Sequence, residues 1–126
     1  MTNQIQHQLY PVRTAAILTN SYVAGTVVKT NGANQLTVLI AFTIGSLTTG
    51  EVKIEFSNDG STYYQESFST VSAGVDTVTL ESHKMAATGN YRLALPIIDN
   101  YVKISAIGNG TLTSSSMAID VVVGVV

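Results

Sequence analysis

Apolar side chains recur at every second position through most of this 126-residue chain, and no other feature restricts its fold as much. An extended strand sends successive side chains to opposite faces, so such a period buries one face and wets the other. Leu36, Val38, Ile40, Phe42 and Ile44 share one face. Val52, Ile54 and Phe56 alternate with Glu51, Lys53 and Glu55; Val78 and Leu80 alternate with Thr77, Thr79 and Glu81. The same pattern runs through Tyr91, Leu93 and Leu95, through Val102 and Ile104, and through Ile119, Val121, Val123 and Val125. No ten-residue stretch repeats at 3.6. The one weak helix candidate, residues 80–87, reads as a loop or a single turn.

Turn-forming residues separate these runs: Asn31-Gly32, Asn58-Asp59-Gly60, Ala73-Gly74, Thr88-Gly89-Asn90 and Gly108-Asn109-Gly110. Asn and Gly tolerate the positive φ that tight hairpins demand. Strands are expected near 14–19, 23–29, 35–45, 50–57, 62–70, 75–81, 90–95, 100–107 and 116–125. That is about eight strands, or nine if Pro96 separates two of them. One open sheet would leave an apolar face in water, so the expected fold is all-β: a two-layer antiparallel β-sandwich of jelly-roll or immunoglobulin-like topology. Length suits one domain over 14–126, preceded by an extended N-terminal arm over 1–13 that lacks a periodic apolar face.

Only 11% of the residues are charged, against an average of about 25%. Thr, Ser, Asn and Gln must cover the surface instead, which points to extensive contact with other protein subunits. The net charge is −2 and the six cations are scattered, so no basic stripe suggests nucleic acid. With no cysteine, disulfides and thiolate zinc sites are excluded. The most apolar run, residues 118–126, falls far short of the roughly 20 residues that span a bilayer, so no membrane is expected. The start, MTNQIQHQLYPVR, has neither a basic n-region nor an apolar h-region; no signal peptide is expected, and the chain is expected to fold in the cytoplasm where it is made.

The search for chemistry is thin. His7 and His83 have no ligand or acid at local spacing. No nucleophile elbow or phosphate-cradling loop occurs. Glu51 and Glu55 share a strand face about 13 Å apart, too far for a glycosidase pair of one cleft. Residues 57–62 offer oxygen atoms for calcium, but a hairpin turn explains them equally and the closing Glu of an EF-hand is missing. Tyr22, Tyr63, Tyr64 and Tyr101 are the available sugar-stacking platforms. No catalytic, cofactor-binding or metal residue is expected, and the chain is not expected to be an enzyme. The candidate contact residues are Ile5, Leu9 and Tyr10 in the arm and Val122 and Val126 in a final strand that is apolar on both faces. Such a strand is either central in the core or buried against another subunit.

Three places resemble small β-sandwich virion proteins of tailed phages. They are Arg13-Thr14-Ala15-Ala16 leading into a first strand, the strand–turn–strand from Val52 to Tyr64 (VKIEFSNDGSTYY), and Asn90-Tyr91-Arg92 with Asn100-Tyr101-Val102-Lys103-Ile104-Ser105 before a Val-rich terminal strand. The last is similar to a closing R-Y-V-R-V hairpin, with Asn100 and Lys103 where Arg is commoner. The resemblance spans about residues 13–126. It implies a non-enzymatic virion part, most simply a capsid decoration or cement protein on the capsid surface. Its partners would be the major capsid protein or other virion proteins, and it would be a homo-oligomer, a trimer being favoured at three-fold sites. The alternatives are a tail, neck or fibre component, or a carbohydrate- or host-surface-binding module.

Overall fold

The computed structural model describes residues 7–126. Among them are twelve strands and no helix. One sheet comprises β1 (His7–Ala16), β4 (Gln35–Thr43), β10 (Gly89–Pro96) and β12 (Ser116–Gly124). Its order is β1-β12-β4-β10, all antiparallel. The second sheet is centred on β5 (Leu47–Ser57) and β11 (Tyr101–Gly110). The short strands β2 (Val23–Ala24) and β3 (Val28–Lys29) edge β11, and β6 (Tyr64–Gln65) and β9 (His83–Met85) edge β5. A third pair, β7 (Ser67–Ser72) and β8 (Val75–Leu80), bonds only to itself.

The two larger sheets face each other through the alternating residues that the sequence marks. Leu36, Val38, Ile40 and Phe42 meet Met117, Ile119, Val121 and Val123 on one layer; Val52 and Ile54 meet Val102, Ile104 and Ala106 on the other. All are buried. Each such side chain stabilises the fold by about 1.5–3 kcal/mol relative to exposure. Tyr91, Leu93, Leu95 and Phe56 pack against this core while partly exposed. Gly50 is held to glycine by packing: a Cβ there would stand 2.6 Å from the Phe42 ring.

The expected sandwich is therefore present, with several differences. The C-terminal strand β12 is central, between β1 and β4: Met117, Ile119, Val121 and Val123 face the core, while Val122 lies half-buried on the outer face. Residues 7–13, read as part of an arm, belong to β1 and pair along β12 from His7↔Gly124 onward. Their pattern escapes a period-2 reading because the register shifts between Pro11 and Arg13 and again before Ala16. Arg13 spans the irregularity, its guanidinium donating to the carbonyls of Met117 (3.0 Å), Ala16 (3.3 Å) and Ile17 (2.9 Å). Pro11 is tolerated because β1 is an edge strand.

Gly108-Asn109-Gly110 is not a turn. It continues β11, with a bulge at Gly110. Gly108 is a packing glycine, since a Cβ would lie 3.0 Å from Leu18 and Leu47. Gly89 and Asn90 likewise open β10 rather than turn the chain. The turns at Asn31-Gly32 (φ 52° and 81°) and Ala73-Gly74 (φ 51° and 77°) carry the positive φ expected of them. Residues 80–87 hold the three-residue strand β9 rather than a loop alone.

Candidate functional site

Residues 75–81 carry the alternation of a core strand, yet the structure puts their apolar side chains in solvent. After β5 the chain returns along it as β6, with Phe56↔Tyr64 and Glu55↔Gln65 paired. It leaves the sheet, and rejoins β5 as β9 at Val52↔His83. The excursion is the β7–β8 hairpin. Its root is tied four ways. Glu66 N donates to Ile54 O (3.0 Å) and Glu81 N to Glu66 O (2.8 Å). The Gln65 side chain donates to Glu81 O (2.9 Å), and His83 Nε2 lies 2.9 Å from Glu66 Oε1. His83 has no acidic partner at local spacing because Glu66 is 17 residues away and arrives only when the hairpin closes.

Beyond that root every residue of both strands is exposed. Phe68 is 46% accessible, Val71 73%, Val75 62%, Val78 69% and Leu80 64%. The register puts Leu80, Val78 and Val71 on one face with Asp76, and Phe68 and Val75 among threonines on the other. Asp76 is the only charged residue between 67 and 80. An isolated two-stranded hairpin is marginal in water, and an exposed apolar one has open edges that invite pairing. Exposed apolar surface of this kind marks a contact site.

The outer faces of the two sheets differ in charge. On the second sheet Glu51, Lys53, Glu55 and Lys103 are met by their own neighbours, and Lys84 is the register partner of Glu51. Glu51 accepts from Tyr22 (3.0 Å), Asn109 (3.3 Å) and the Ser82 hydroxyl. Burial pushes its pKa up, but these donors outweigh it and hold the carboxyl below its usual range. Burial, and then Glu51 itself, raise the Tyr22 phenol to about 12. Lys53 sits 4.7 Å from the centre of the Tyr22 ring and 3.8 Å from Glu55. Lys103 lies 4.2 Å from the centre of the Tyr63 ring.

On the first sheet the outer face is nearly uncharged. Pro11, Asp120, Leu39 and Arg92 form one row across the four strands, and Leu9, Val122, Thr37 and Ala94 form the next. Leu39, Thr37, Val122, Arg92 and Val126 line a shallow depression of about 370 Å³. Neither Arg92 nor Asp120 has an ion pair within 4.0 Å among the described residues. A further apolar group, Ile98 (93% exposed), Val125 and Val126, occupies the end of the sandwich where β1 starts and β12 ends.

Of the contact residues expected from sequence, Leu9 and Val122 are direct register partners on this outer face, and Val126 lines the same depression. Tyr10 points the other way and packs against the core. Ile5 lies outside the described residues. The hairpin was missed as a contact element because its alternation is indistinguishable from that of a buried strand. The signal that could have found it is the near-absence of charge around Ala73-Gly74.

At the remaining candidates, Asp59 serves its own turn. Its carboxylate accepts from Thr62 N (2.9 Å), Ser61 N (2.8 Å) and Ser57 Oγ (2.9 Å), and those donors push its pKa down to about 2. Glu51 and Glu55 lie on the charged face described above. Tyr63 lies under Lys103, while Tyr64, the register partner of Phe56, is 71% exposed.

The fold and these surfaces define a two-layer antiparallel β-sandwich with a projecting hairpin. Neither a protein-family model nor a curated protein matches the sequence. Solved structures share the fold. The SPBc2 prophage-derived protein YomS matches with a TM-score of 0.60 at 15% identity, over 98% of this chain and 97% of that one. The PBSX exported protein XepA gives 0.65 at 11% identity, over 94% of this chain; the chain spans 37% of XepA. A chain of infectious bursal disease virus, Gx strain, gives 0.55 at 8%, with 98% and 32% covered.

Proposed function

We propose that this chain is a non-enzymatic structural subunit of a phage virion, and within it a decoration or cement protein bound to the outer shell. The observation that carries the reading is the apolar hairpin held wholly in solvent. A chain that worked alone would gain nothing from exposing it. The sparsely charged outer face of the first sheet supports the same reading, since a surface with few charges discriminates mainly by shape and suits repeated subunit contacts. Sandwiches of this fold occur in two prophage proteins and a virus, which fits the resemblance seen in the sequence.

The shell contact is assigned to the end bearing Ile98, Val125 and Val126. Apolar contact supplies about 25 cal/mol per Å² before ordering costs are subtracted. Many modest contacts on a lattice then act together. The test is co-sedimentation of the purified chain with empty heads of the parent phage, followed by cryo-EM of the virion. Density on the capsid exterior is expected. Density in the tail or neck would retain the structural role and move its place; absence from the particle would overturn the proposal.

A further inference from the structure

The hairpin asks for a partner, and this chain carries a surface that fits it. We infer that the Val71–Val78–Leu80 face of the β7–β8 hairpin docks on the outer face of the first sheet of a second copy. There it covers Leu39, Thr37 and Val122, with Asp76 brought to Arg92. The subunits thus join head to tail.

Four observations lead there. First, the hairpin does not use its own sandwich: every residue of both strands is exposed, and beyond the root its backbone pairs only with itself. Secondly, the sizes are those of a small contact. The three apolar side chains on this face offer on the order of 300 Å² of accessible surface, and Ser67, Ser69 and Asp76 around them bring the face to the low end of what a specific interface removes from each partner.

Thirdly, the charges agree. The hairpin holds one charge, Asp76, and it lies on the same face as Val71, Val78 and Leu80. The receiving face holds Arg92, exposed on β10 and without an ion pair among the described residues. On the outer face of the second sheet Lys53 and Lys103 already face Glu55, Tyr22 and Tyr63, Lys84 is the register partner of Glu51, and the carboxylates Glu51 and Glu55 among them would repel Asp76. Fourthly, the charges also orient the contact. Asp120 lies two strands from Arg92 across Leu39, or about 10 Å at the usual strand spacing. A carboxylate arriving at Arg92 is repelled from the β12 side, so the tip of the hairpin is directed toward β10.

A hairpin on one copy and a sheet face on the next make a heterologous interface. Such an interface closes into a ring when its rotation divides the circle, and otherwise forms a filament. Closure at three copies would match a three-fold site. The inference rests on the assembly-subunit reading but fails separately from it. Head binding tests placement in the virion, whereas self-association is measured on the purified chain alone.

The experiment uses two variants of the full chain. The hairpin variant is Val71→Ser/Val78→Ser/Leu80→Ser; the face variant is Leu39→Glu/Arg92→Glu. Masses are followed by light scattering and native mass spectrometry. The wild type is expected to be an oligomer and each variant a monomer. Mixed together, the two variants should form a 1:1 dimer, because the mixture holds one intact hairpin and one intact face. A face variant that remained oligomeric would show a hairpin-to-hairpin contact and overturn the inference. A monomeric wild type or a mixture that stays monomeric would do the same. Should the face variant fail to fold, Arg92→Glu alone replaces it. That change should weaken association by about tenfold or more, and adding Asp76→Arg should recover most of the loss.

Discussion

Replacing valine by threonine exchanges a methyl for a hydroxyl at nearly constant shape and β-propensity, so it reports on burial alone. The structure predicts two opposite outcomes for this one exchange. At Val121, which is 0% exposed between the two sheets, the hydroxyl is forced into an apolar core. Leaving it without a good partner should cost about 1–3 kcal/mol. At Val71 and Val78, which are 73% and 69% exposed, water already reaches the side chain. One methyl is exchanged at each site, worth about 0.8 kcal/mol when fully buried, and only about a third of it is covered, so Val71→Thr/Val78→Thr together should cost less than about 1 kcal/mol.

Urea melts followed by circular dichroism measure both, at a protein concentration low enough for the chain to be monomeric. Dilution matters, because association stabilises the folded state by mass action. At higher concentration the wild-type midpoint should rise while that of the hairpin variant stays fixed. A loss above about 2 kcal/mol for the hairpin pair in the dilute monomer would mean that the hairpin folds onto its own sandwich. The reading of it as a contact element would then be refuted.

Gly50→Ala should lose about 1–3 kcal/mol, because the new methyl lies 2.6 Å from the Phe42 ring; adding Phe42→Leu should restore part of it, and strict additivity in the melts would contradict the packing argument. The Asp59 carboxyl is held at about 2 against an ordinary 3.8. A depressed carboxylate contributes stability above its unfolded value that is lost as pH falls through its folded one. The urea midpoint should therefore drop between about pH 4 and pH 2, and Asp59→Asn should flatten that slope. His83→Ala removes one tie at the hairpin root; thermolysin should cut within residues 67–80 faster than in the wild type, with the global midpoint nearly unchanged. Ala73 adopts φ 51° at the tip, where an L side chain is strained, so Ala73→Gly should leave the hairpin equally or better formed by hydrogen exchange.

Much of the fold was legible because β4, β5, β10, β11 and β12 alternate cleanly, and alternation is a direct consequence of strand geometry. The last strand was also legible as a central one, and it lies between β1 and β4 with Val121 and Val123 in the core and Val122 left half-buried on the outer face. Residues 7–13 were not legible as a strand. Two register shifts break the period there, and the pairing of β1 depends on β12, more than a hundred residues later. The split of the β5 edge into β6 and β9 was equally hidden, since two- and three-residue strands carry no period at all. The contact surface was half visible. Leu9, Val122 and Val126 were identifiable by their apolar character, but Arg92 and Asp76 gain meaning only from the faces they share. Periodicity tells which side chains lie together and not which side meets water; the hairpin is where that difference mattered.

The way β7 and β8 leave the sheet has a consequence for how such a protein can change. The excursion departs and returns at adjacent positions on β5, and its base is closed by backbone bonds and the Glu66–His83 pair rather than by anything farther out. Lengthening, shortening or replacing the segment between residues 67 and 80 therefore leaves the sandwich's own bonding intact. Partner choice can drift there while the body stays constant, and a foreign peptide spliced at Ala73-Gly74 would be displayed outward at the cost of self-association alone.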